Sequence, residues 1–232
     1  MKVAVISDIH GNYDAFSAVL KACEKEQVKE YLFLGDYVGY YYDAKIVWDK
    51  IRSLSQYIIK GNHEEILMQL DNSLETETTI TKKYGVAHQM ALSQLTSLDK
   101  KELFSLPTRL SIEINNVRLQ LNHGSPWDPA YYLYPDTASA VLNKANTTKF
   151  DFVLIGHSHY SFSVQLKNTV LINVGSVGQN RKTGGIANWG LLDLKDKSYN
   201  IQSTPYDVTQ LAESILKNDP NCHYNHSILF RK

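Results

Sequence analysis

Eight side chains that could bind metal ions or move protons each follow a short apolar run of the sequence. They are Asp8, His10, Asp36, Asn62, His63, His123, His157 and His159, and they include five of the chain's eight histidines. Imidazole and carboxylate ligands without a thiolate suit Mn, Fe, Zn, Co or Ni, whereas Mg or Ca would favour a site made of oxygen ligands. If these side chains meet in the fold, the pattern predicts a transition-metal site.

Taken one at a time, most of these motifs have a simpler structural explanation. An Asp-x-His such as Asp8 to His10 is usually a turn or a helix cap, and Asn62 can cap a helix. The Gly-His-Ser-His segment at 156–159 is harder to explain this way, because a turn that starts at glycine can aim both imidazoles at neighbouring ions. The order of all the motifs along one chain favours the chemical interpretation.

The apolar runs predict the strands that would position these residues. Five β-branched or aromatic runs lie at 3–6, 31–34, 57–59, 119–121 and 152–155. Open α/β sheets bind ligands just beyond the carboxyl ends of their strands. The motif residues follow those ends, so we expect their side chains to converge on one site.

The remaining sequence predicts helices in the first half and hairpins in the second. Helical spacing of apolar residues occurs at 15–25, at 44–54 and over roughly 79–98. Asp14 and Asp43 stand at the expected N-caps of the first two helices. Two hairpins are predicted, 110–114 with 117–121 and 162–166 with 170–174. The fold class is therefore α/β, a layered sandwich of two mixed β-sheets flanked by helices, with a long loop at 125–135.

The composition is typical of a globular protein without a polyanion-binding surface. The 232 residues carry 24 basic and 24 acidic side chains and are 43% apolar. Balanced charge argues against an extended nucleic-acid surface, and no apolar run approaches the roughly 18 residues of a membrane span. Cys23 and Cys222 lie far apart, which fits a reducing compartment. We predict a single domain over 1–232 and a cytoplasmic location.

The order of the motifs resembles that of the calcineurin-like metallophosphoesterase superfamily. It reads Asp-x-His-Gly-Asn from residue 8, Gly-Asp from 35, Gly-Asn-His-Glu from 61, His-Gly from 123 and Gly-His-x-His from 156. Within that superfamily the chain is most similar to small bacterial and archaeal phosphodiesterase-type members, from Met1 to about Tyr206. The resemblance leaves about 207–232 as a C-terminal extension of unclear role.

The resemblance implies a metallophosphoesterase fold with a dinuclear metal centre. Mn is the favoured identity for the two divalent transition-metal ions, with Fe, Zn, Co or Ni as alternatives. Carried over by motif, Asp8, His10 and His159 would bind one ion and Asn62, His123 and His157 the other, with Asp36 between them. The resemblance further implies attack by a hydroxide that bridges the ions, while His63 protonates the leaving oxygen or stabilises its charge. Two divalent ions with only two carboxylates keep a net positive charge, which attracts phosphate without a basic surface.

Three further features bear on catalysis and on the choice of substrate. Glu64 stands where many relatives have Asp, so the carboxylate expected to orient His63 is one methylene longer. Tyrosines cluster at 37–42 and 131–134, where they could stack a nucleobase, although loop packing is the simpler explanation for any single ring. Arg181 could contact a substrate phosphate or be an ordinary surface arginine.

The sequence therefore predicts a metal-dependent phosphoric ester hydrolase. The favoured activity is that of a phosphodiesterase acting on a small or nucleotide-like phosphate ester. Two alternatives stay open. The same motifs permit a phosphomonoesterase, and a non-catalytic binding scaffold is a further reading because a retromer subunit shares this fold as an interaction module. All seven ligand positions are filled here, whereas scaffolds often lose them. The expected partner is the small substrate, with no membrane and no extended nucleic acid.

Overall fold

The computed structural model describes all 232 residues and contains ten strands and nine α-helices. The strands are β1 (Lys2–Ile6), β2 (Glu30–Phe33), β3 (Tyr57–Ile58), β4 (Arg109–Ile114), β5 (Val117–Asn122), β6 (Phe152–Ile155), β7 (Phe162–Gln165), β8 (Val170–Asn173), β9 (Ile186–Asp193) and β10 (Ser198–Pro205). The helices are α1 (Tyr13–Lys25), α2 (Ala44–Leu54), α3 (Asn62–Asp71), α4 (Glu77–Tyr84), α5 (Ala87–Gln94), α6 (Ser97–Ser105), α7 (Ser139–Leu142), α8 (Thr209–Asn218) and α9 (His223–Ser227).

The strands form two five-stranded sheets, both of them mixed. The first sheet has the order β10-β9-β1-β2-β3, in which β1, β2 and β3 are parallel and β9 is antiparallel to both of its neighbours, β1 and β10. The second has the order β4-β5-β6-β8-β7, in which β5, β6 and β8 are parallel. This arrangement confirms the predicted layered α/β sandwich, including both hairpins.

Successive side chains of the first sheet point to opposite faces and pack into two different cores. Val5 faces the second sheet and packs with Leu119 in a buried cluster of 14 residues between the sheets. Its neighbour Ile6 faces the helices and packs with Trp48 in a cluster of 24 buried residues. Burial of each such side chain contributes about 1.5–3 kcal/mol, so the helical layer and the second sheet hold the first sheet from both faces. The strand ends that carry the motif residues are thereby fixed.

The single helix predicted over roughly 79–98 is wrong, because that region contains α4, α5 and the start of α6. Gly85 ends α4 with φ 78°, a left-handed conformation that favours glycine. The side chain of Thr96 accepts a hydrogen bond from the Asp99 N–H and starts α6 with a capping box. Apolar spacing continues across both breaks, so periodicity alone did not reveal them.

Three other details differ from the prediction. Asn12 caps α1, since its side chain accepts from the Ala15 N–H, while the predicted cap Asp14 lies in the first turn. Asp43 does precede α2, but its side chain makes no capping hydrogen bond. Strands β9 and β10 were not predicted, because Asn188 and Gly190 interrupt the apolar pattern of a strand whose burial comes from its central place beside β1.

The C-terminal residues pack on the loop that follows β2. Helices α8 and α9 and a 3-10 turn (Ile228–Phe230) occupy the end of the chain. Leu211 and Ile215 of α8 share a buried cluster with Tyr41 and Tyr42. The C-terminal extension, for which the sequence predicted no role, therefore contacts a loop that carries motif residues. No helix of the structure combines the length and apolar character needed to cross a bilayer.

Candidate metal centre

All eight predicted side chains meet where the carboxyl ends of the parallel strands approach each other. Asp8 and His10 follow β1, Asp36 follows β2, Asn62 and His63 open α3 after β3, His123 follows β5, and His157 and His159 follow β6. The site thus draws on both sheets, and every one of these residues except Asn62 is buried. The convergence predicted from the strand ends is present in the fold.

The backbone at this site is held in a conformation that most residues avoid. Positive φ angles of 54–67° occur at Asp8, His10, Asp36, His157 and His159. Non-glycine residues in this left-handed region are uncommon, and such strain collects at functional sites where the surrounding structure enforces it. Five strained residues among the eight set this cluster apart from an ordinary buried polar group.

The first group of ligand atoms surrounds one point. The Nε2 atoms of His10 and His159 lie 3.0 Å apart. Asp8 Oδ1 is 3.3 Å from His159 Nε2, and Asp36 Oδ2 is 3.7 Å from His10 Nε2. One ligand atom from each of these four residues lies within 4.8 Å of all the others. This is the spacing expected of groups that share a cation.

A second group of ligand atoms shares Asp36 with the first. Asp36 Oδ2 lies 3.2 Å from His123 Nε2, which is itself 3.1 Å from His157 Nδ1. The side-chain oxygen of Asn62 lies 3.0 Å from the same His123 nitrogen. The two groups have the membership that the family resemblance implied, with Asp36 between them. That they bind ions stays a prediction.

Backbone carbonyls fix which nitrogen of each imidazole faces the centre. The Nδ1–H groups of His10, His123 and His159 donate to the carbonyl oxygens of Val38 (3.1 Å), Leu34 (2.8 Å) and Gln179 (2.7 Å). His157 has the opposite orientation, because its Nε2–H donates to the Ala130 carbonyl at 3.2 Å. Each neutral ring therefore presents a lone pair to the centre, as metal-bound histidines do.

This geometry fits a cation on three observations. Lone pairs of His10 and His159 face each other at 3.0 Å, as do those of His123 and His157 at 3.1 Å. Such pairs repel unless a proton or a metal ion lies between them. The buried Asp8 Oδ1 has no hydrogen-bond partner. The donors are nitrogen and oxygen without sulfur, a set that suits divalent transition metals.

Electrostatics within the centre also favour positive charge. Burial alone would raise the pKa of Asp36, but nearby imidazoles, His123 foremost, outweigh it and hold the pKa well below the usual value. Burial would likewise lower the pKa of His123, yet the Asp36 carboxylate raises it to about 10. Burial, together with the neighbouring His123, lowers the pKa of His157 to about 4. The Asp36 carboxylate thus favours a positive charge at this point of the centre, which a bound ion would supply.

The expectation that Glu64 orients His63 is wrong. Glu64 Oε1 accepts hydrogen bonds from the N–H groups of Tyr37 and Val38, at 2.8 and 3.2 Å. Its Oε2 accepts from the N–H groups of residues 36 and 61, both at 2.8 Å. The extra methylene lets the carboxylate reach the loop after β2 and hold it, which leaves none of its hydrogen bonds for His63.

Two residues at the site were not identified from the sequence. His88 of α5 lies against His63, and nothing in the local sequence of a short helix indicates this contact. Tyr132 stacks on His157 with ring centroids 3.8 Å apart and an interplanar angle of 25°. The tyrosine cluster was noted, but only the fold shows which ring lies on a candidate ligand.

Comparison with known families agrees with this geometry. Residues 1–197 match the family model of the calcineurin-like phosphoesterase superfamily domain. The chain belongs to the calcineurin-like phosphoesterase superfamily. Membership points to a hydrolase of the phosphoesterase class that uses divalent metals.

Proteins similar to this chain come from archaea and bacteria. An uncharacterised protein of Methanocaldococcus jannaschii is 31% identical over 234 residues, which cover 93% of this chain and 92% of that protein. A metallophosphoesterase from Sphaerobacter thermophilus has the same fold with a TM-score of 0.81 and 22% identity, over 99% of this chain and 98% of that one. A hypothetical protein of Pyrococcus horikoshii superposes with a TM-score of 0.83 at 20% identity, over the same shares. The calcineurin-like phosphoesterase fold predicted from the motifs is confirmed.

Proposed function

We propose that this calcineurin-like phosphoesterase is a dinuclear-metal-dependent phosphodiesterase that hydrolyses a small, nucleotide-like phosphate ester. The observation that carries the proposal is the pair of ligand groups that share Asp36, each with its ligand atoms within 4.8 Å of one another. When bound, two divalent ions would polarise a phosphoryl oxygen and make water nucleophilic. Mn is the metal we propose. Asp36 has a catalytic role in this proposal because its carboxylate belongs to both groups.

The ligand assignment of the proposal follows the two groups. Asp8, His10 and His159 would hold one ion, and Asn62, His123 and His157 the other. The carbonyl partners of the four imidazoles keep their lone pairs directed at the centre, so the orientation of each ring toward an ion is fixed by the backbone. Preorganisation of this kind reduces the cost of binding.

In this proposal, His63 acts on the leaving group. Its ring lies 4.6 Å from that of His10 and packs at an angle of 73° against it. No Asp or Glu oxygen lies within 4.0 Å of its ring nitrogens, and its backbone N–H donates to Asp36 Oδ1 at 2.8 Å. A histidine that borders the ligands without joining either group can donate a hydrogen bond to the departing oxygen.

Aromatic rings on both sides of the centre support a substrate with a flat organic group. Tyr132 covers His157, and Tyr134 stacks on Tyr132 with centroids 5.9 Å apart. On the other side, Tyr40 and Tyr84 lie with their ring centroids 4.9 Å from that of His63. Rings of this kind can stack a nucleobase.

Arg181 supplies a cation beside the same centre. Its guanidinium is close enough to Asp8 and to the Tyr40 and Tyr132 hydroxyls to interact with them electrostatically. Its Nε is buried and has no hydrogen-bond partner. A guanidinium with a free donor matches phosphate oxygens, which supports a substrate phosphate rather than a neutral ligand.

Hydrolysis of chromogenic esters tests the proposal. Metal-depleted protein reconstituted with Mn²⁺ should hydrolyse bis(p-nitrophenyl) phosphate faster than p-nitrophenyl phosphate. Asp36→Ala and His123→Ala should abolish the activity. The matched controls Asp71→Ala and His226→Ala change the same residue types outside the centre and should leave it unchanged.

Each other outcome contradicts a defined part of the proposal. A faster rate on the monoester would replace the phosphodiesterase with a phosphomonoesterase. Wild-type protein that binds metal but hydrolyses neither ester with Mn, Fe, Zn, Co or Ni would favour a binding scaffold. Protein that binds no stoichiometric metal would overturn the dinuclear centre itself.

A further inference from the structure

His88 forms a close pair with His63 outside both ligand groups. It lies in the first turn of α5 and is fully buried. Its Nε2 is 3.2 Å from His63 Nδ1, and the rings are nearly parallel, with centroids 5.1 Å apart and an interplanar angle of 18°. A histidine 25 positions along the chain therefore contacts the ring nitrogen of His63 that can fix its tautomer.

No carboxylate competes with His88 for this nitrogen. Asp and Glu oxygens within 4.0 Å of a histidine occur only at His10, His123 and His159. Glu64, the carboxylate next to His63 in sequence, accepts hydrogen bonds from four backbone N–H groups. A buried imidazolium without a counter-ion is costly, so the pair is neutral and one proton lies between the two nitrogens.

The surroundings of His88 decide which nitrogen carries that proton. Its Nδ1 is buried and has no hydrogen-bond partner. If His63 donated, the proton of His88 would sit on this Nδ1 as a buried, unpaired N–H, which native proteins rarely contain. If His88 Nε2–H donates, its Nδ1 remains an unpaired acceptor, the less costly state. His63 then carries its own proton on Nε2.

The pair is held rigidly, so the tautomer is fixed together with the geometry. Gly39 has φ 85°, and a side chain there would collide with His63 Nδ1 and crowd His88 Cε1. The ring of Tyr84 packs on both imidazoles, with centroids 4.9 Å from His63 and 5.5 Å from His88. Gly39 and Tyr84 thus pack against the pair and support the orientation of both rings.

We propose that His88 is a positioning residue that holds His63 in the Nε2–H tautomer, so that His63 donates a hydrogen bond to the leaving oxygen of the ester. The effect of His88 on catalysis rests on the proposed phosphoesterase function. The tautomer of His63 can be measured whether or not the protein hydrolyses an ester. A carboxylate would accept a hydrogen bond from the Nδ1–H group of His63 and leave Nε2 as an acceptor in the neutral ring. His88 instead makes the neutral ring a donor.

Nuclear magnetic resonance of the wild-type protein tests the tautomer directly. Protein labelled with ¹⁵N-histidine and loaded with diamagnetic Zn²⁺ gives long-range ¹H–¹⁵N correlations that separate protonated from unprotonated ring nitrogens, with His63 assigned from the His63→Gln spectrum. We expect a protonated Nε2 and an unprotonated Nδ1 on His63. The reverse pattern overturns the proposal, whether or not the protein hydrolyses any ester.

Variants of His88 test the consequence for catalysis. His88→Leu removes the donor and should lower kcat by roughly 10- to 100-fold with little change in KM, as loss of an outer partner does at comparable sites. The loss should be larger for an alkyl leaving group than for p-nitrophenolate, which needs less stabilisation. His88→Gln keeps an N–H donor in place of Nε2 and should restore most of kcat.

A double-mutant cycle separates positioning from damage to the fold. In a His63→Ala background, His88→Leu should cause no further loss, because the partner through which it acts is gone. Leu95→Ala removes a buried side chain just after α5 and should lower Tm without changing the leaving-group dependence. A His88→Leu loss that is equal for both leaving groups, or that persists in the His63→Ala background, overturns the proposal. Wild-type protein without esterase activity would refute the proposed function, while the tautomer measurement would still decide the role of His88.

Discussion

At the scale of single residues, the carboxylate of Glu64 holds the loop that carries Asp36. Four backbone N–H groups donate to its two oxygens, at residues 36, 37, 38 and 61. Burial and the nearby Asp36 raise the pKa of Glu64 to about 7, while these N–H groups act in the opposite direction. The sequence identified Glu64 as unusual, but three of its four partners are backbone N–H groups of a distant loop.

Replacement of Glu64 by glutamine should destabilise the protein. In Glu64→Gln, an amide N–H₂ would face two of the four backbone N–H groups, and each unpaired N–H costs about 1–3 kcal/mol. Urea denaturation measures the loss of unfolding free energy. The matched control is Glu65→Gln, which removes a partly exposed ion pair with Lys60 and should cost less than about 1 kcal/mol. Equal losses in both variants would contradict this role.

At the scale of elements, α8 and its C-terminal end link two segments beside the candidate centre. The carboxylate of Asp219, at the end of α8, accepts from the Tyr42 hydroxyl at 2.8 Å and from the Val86 N–H at 2.9 Å. Tyr42 belongs to the loop after β2, and Val86 precedes the α5 helix that carries His88. The C-terminal extension therefore joins two elements that were predicted separately.

Removal of this link should loosen the start of α5. Asp219→Ala leaves the partly buried Val86 N–H and the buried Tyr42 hydroxyl without an acceptor, which should lower the unfolding free energy by about 1–3 kcal/mol. Amide exchange at 86–88 should accelerate, and kcat should fall because His88 loses its support. Glu213→Ala, an exposed position on the same helix, is the control and should change neither quantity. Unchanged exchange at 86–88 in Asp219→Ala would refute the link.

At the scale of the whole molecule, the candidate ligands join the two sheets. Asp8 and Asp36 come from the first sheet, whereas His123, His157 and His159 come from the second. A cation shared between these groups would bind the folded chain and not the unfolded one, because the ligands are up to 151 positions apart in the sequence. Metal binding should therefore appear as stability of the entire fold.

Addition of metal should raise Tm, and chelation should lower it. At about 100 times Kd, a ligand of the native state adds about 2.7 kcal/mol, which shifts Tm of a protein of this size by roughly 5–10 °C. Differential scanning calorimetry with Mn²⁺ and with EDTA measures the shift. Asp36→Ala should lose it, whereas Asp71→Ala should keep it. The prediction fails if Mn²⁺ and EDTA give the wild type the same Tm.

The sequence alone determined the strand ends, the candidate ligand types and the family, because apolar periodicity and motif order can be read along the chain without its fold. It did not determine β9, the three short helices that replace the single helix predicted over roughly 79–98, or the contacts of Glu64 and His88. Those depend on which distant backbone or ring comes within hydrogen-bond distance. Glu64 and His88 meet their partners only after the sheets and helices pack, so the tertiary structure alone decided how the loop after β2 and the ring of His63 are held.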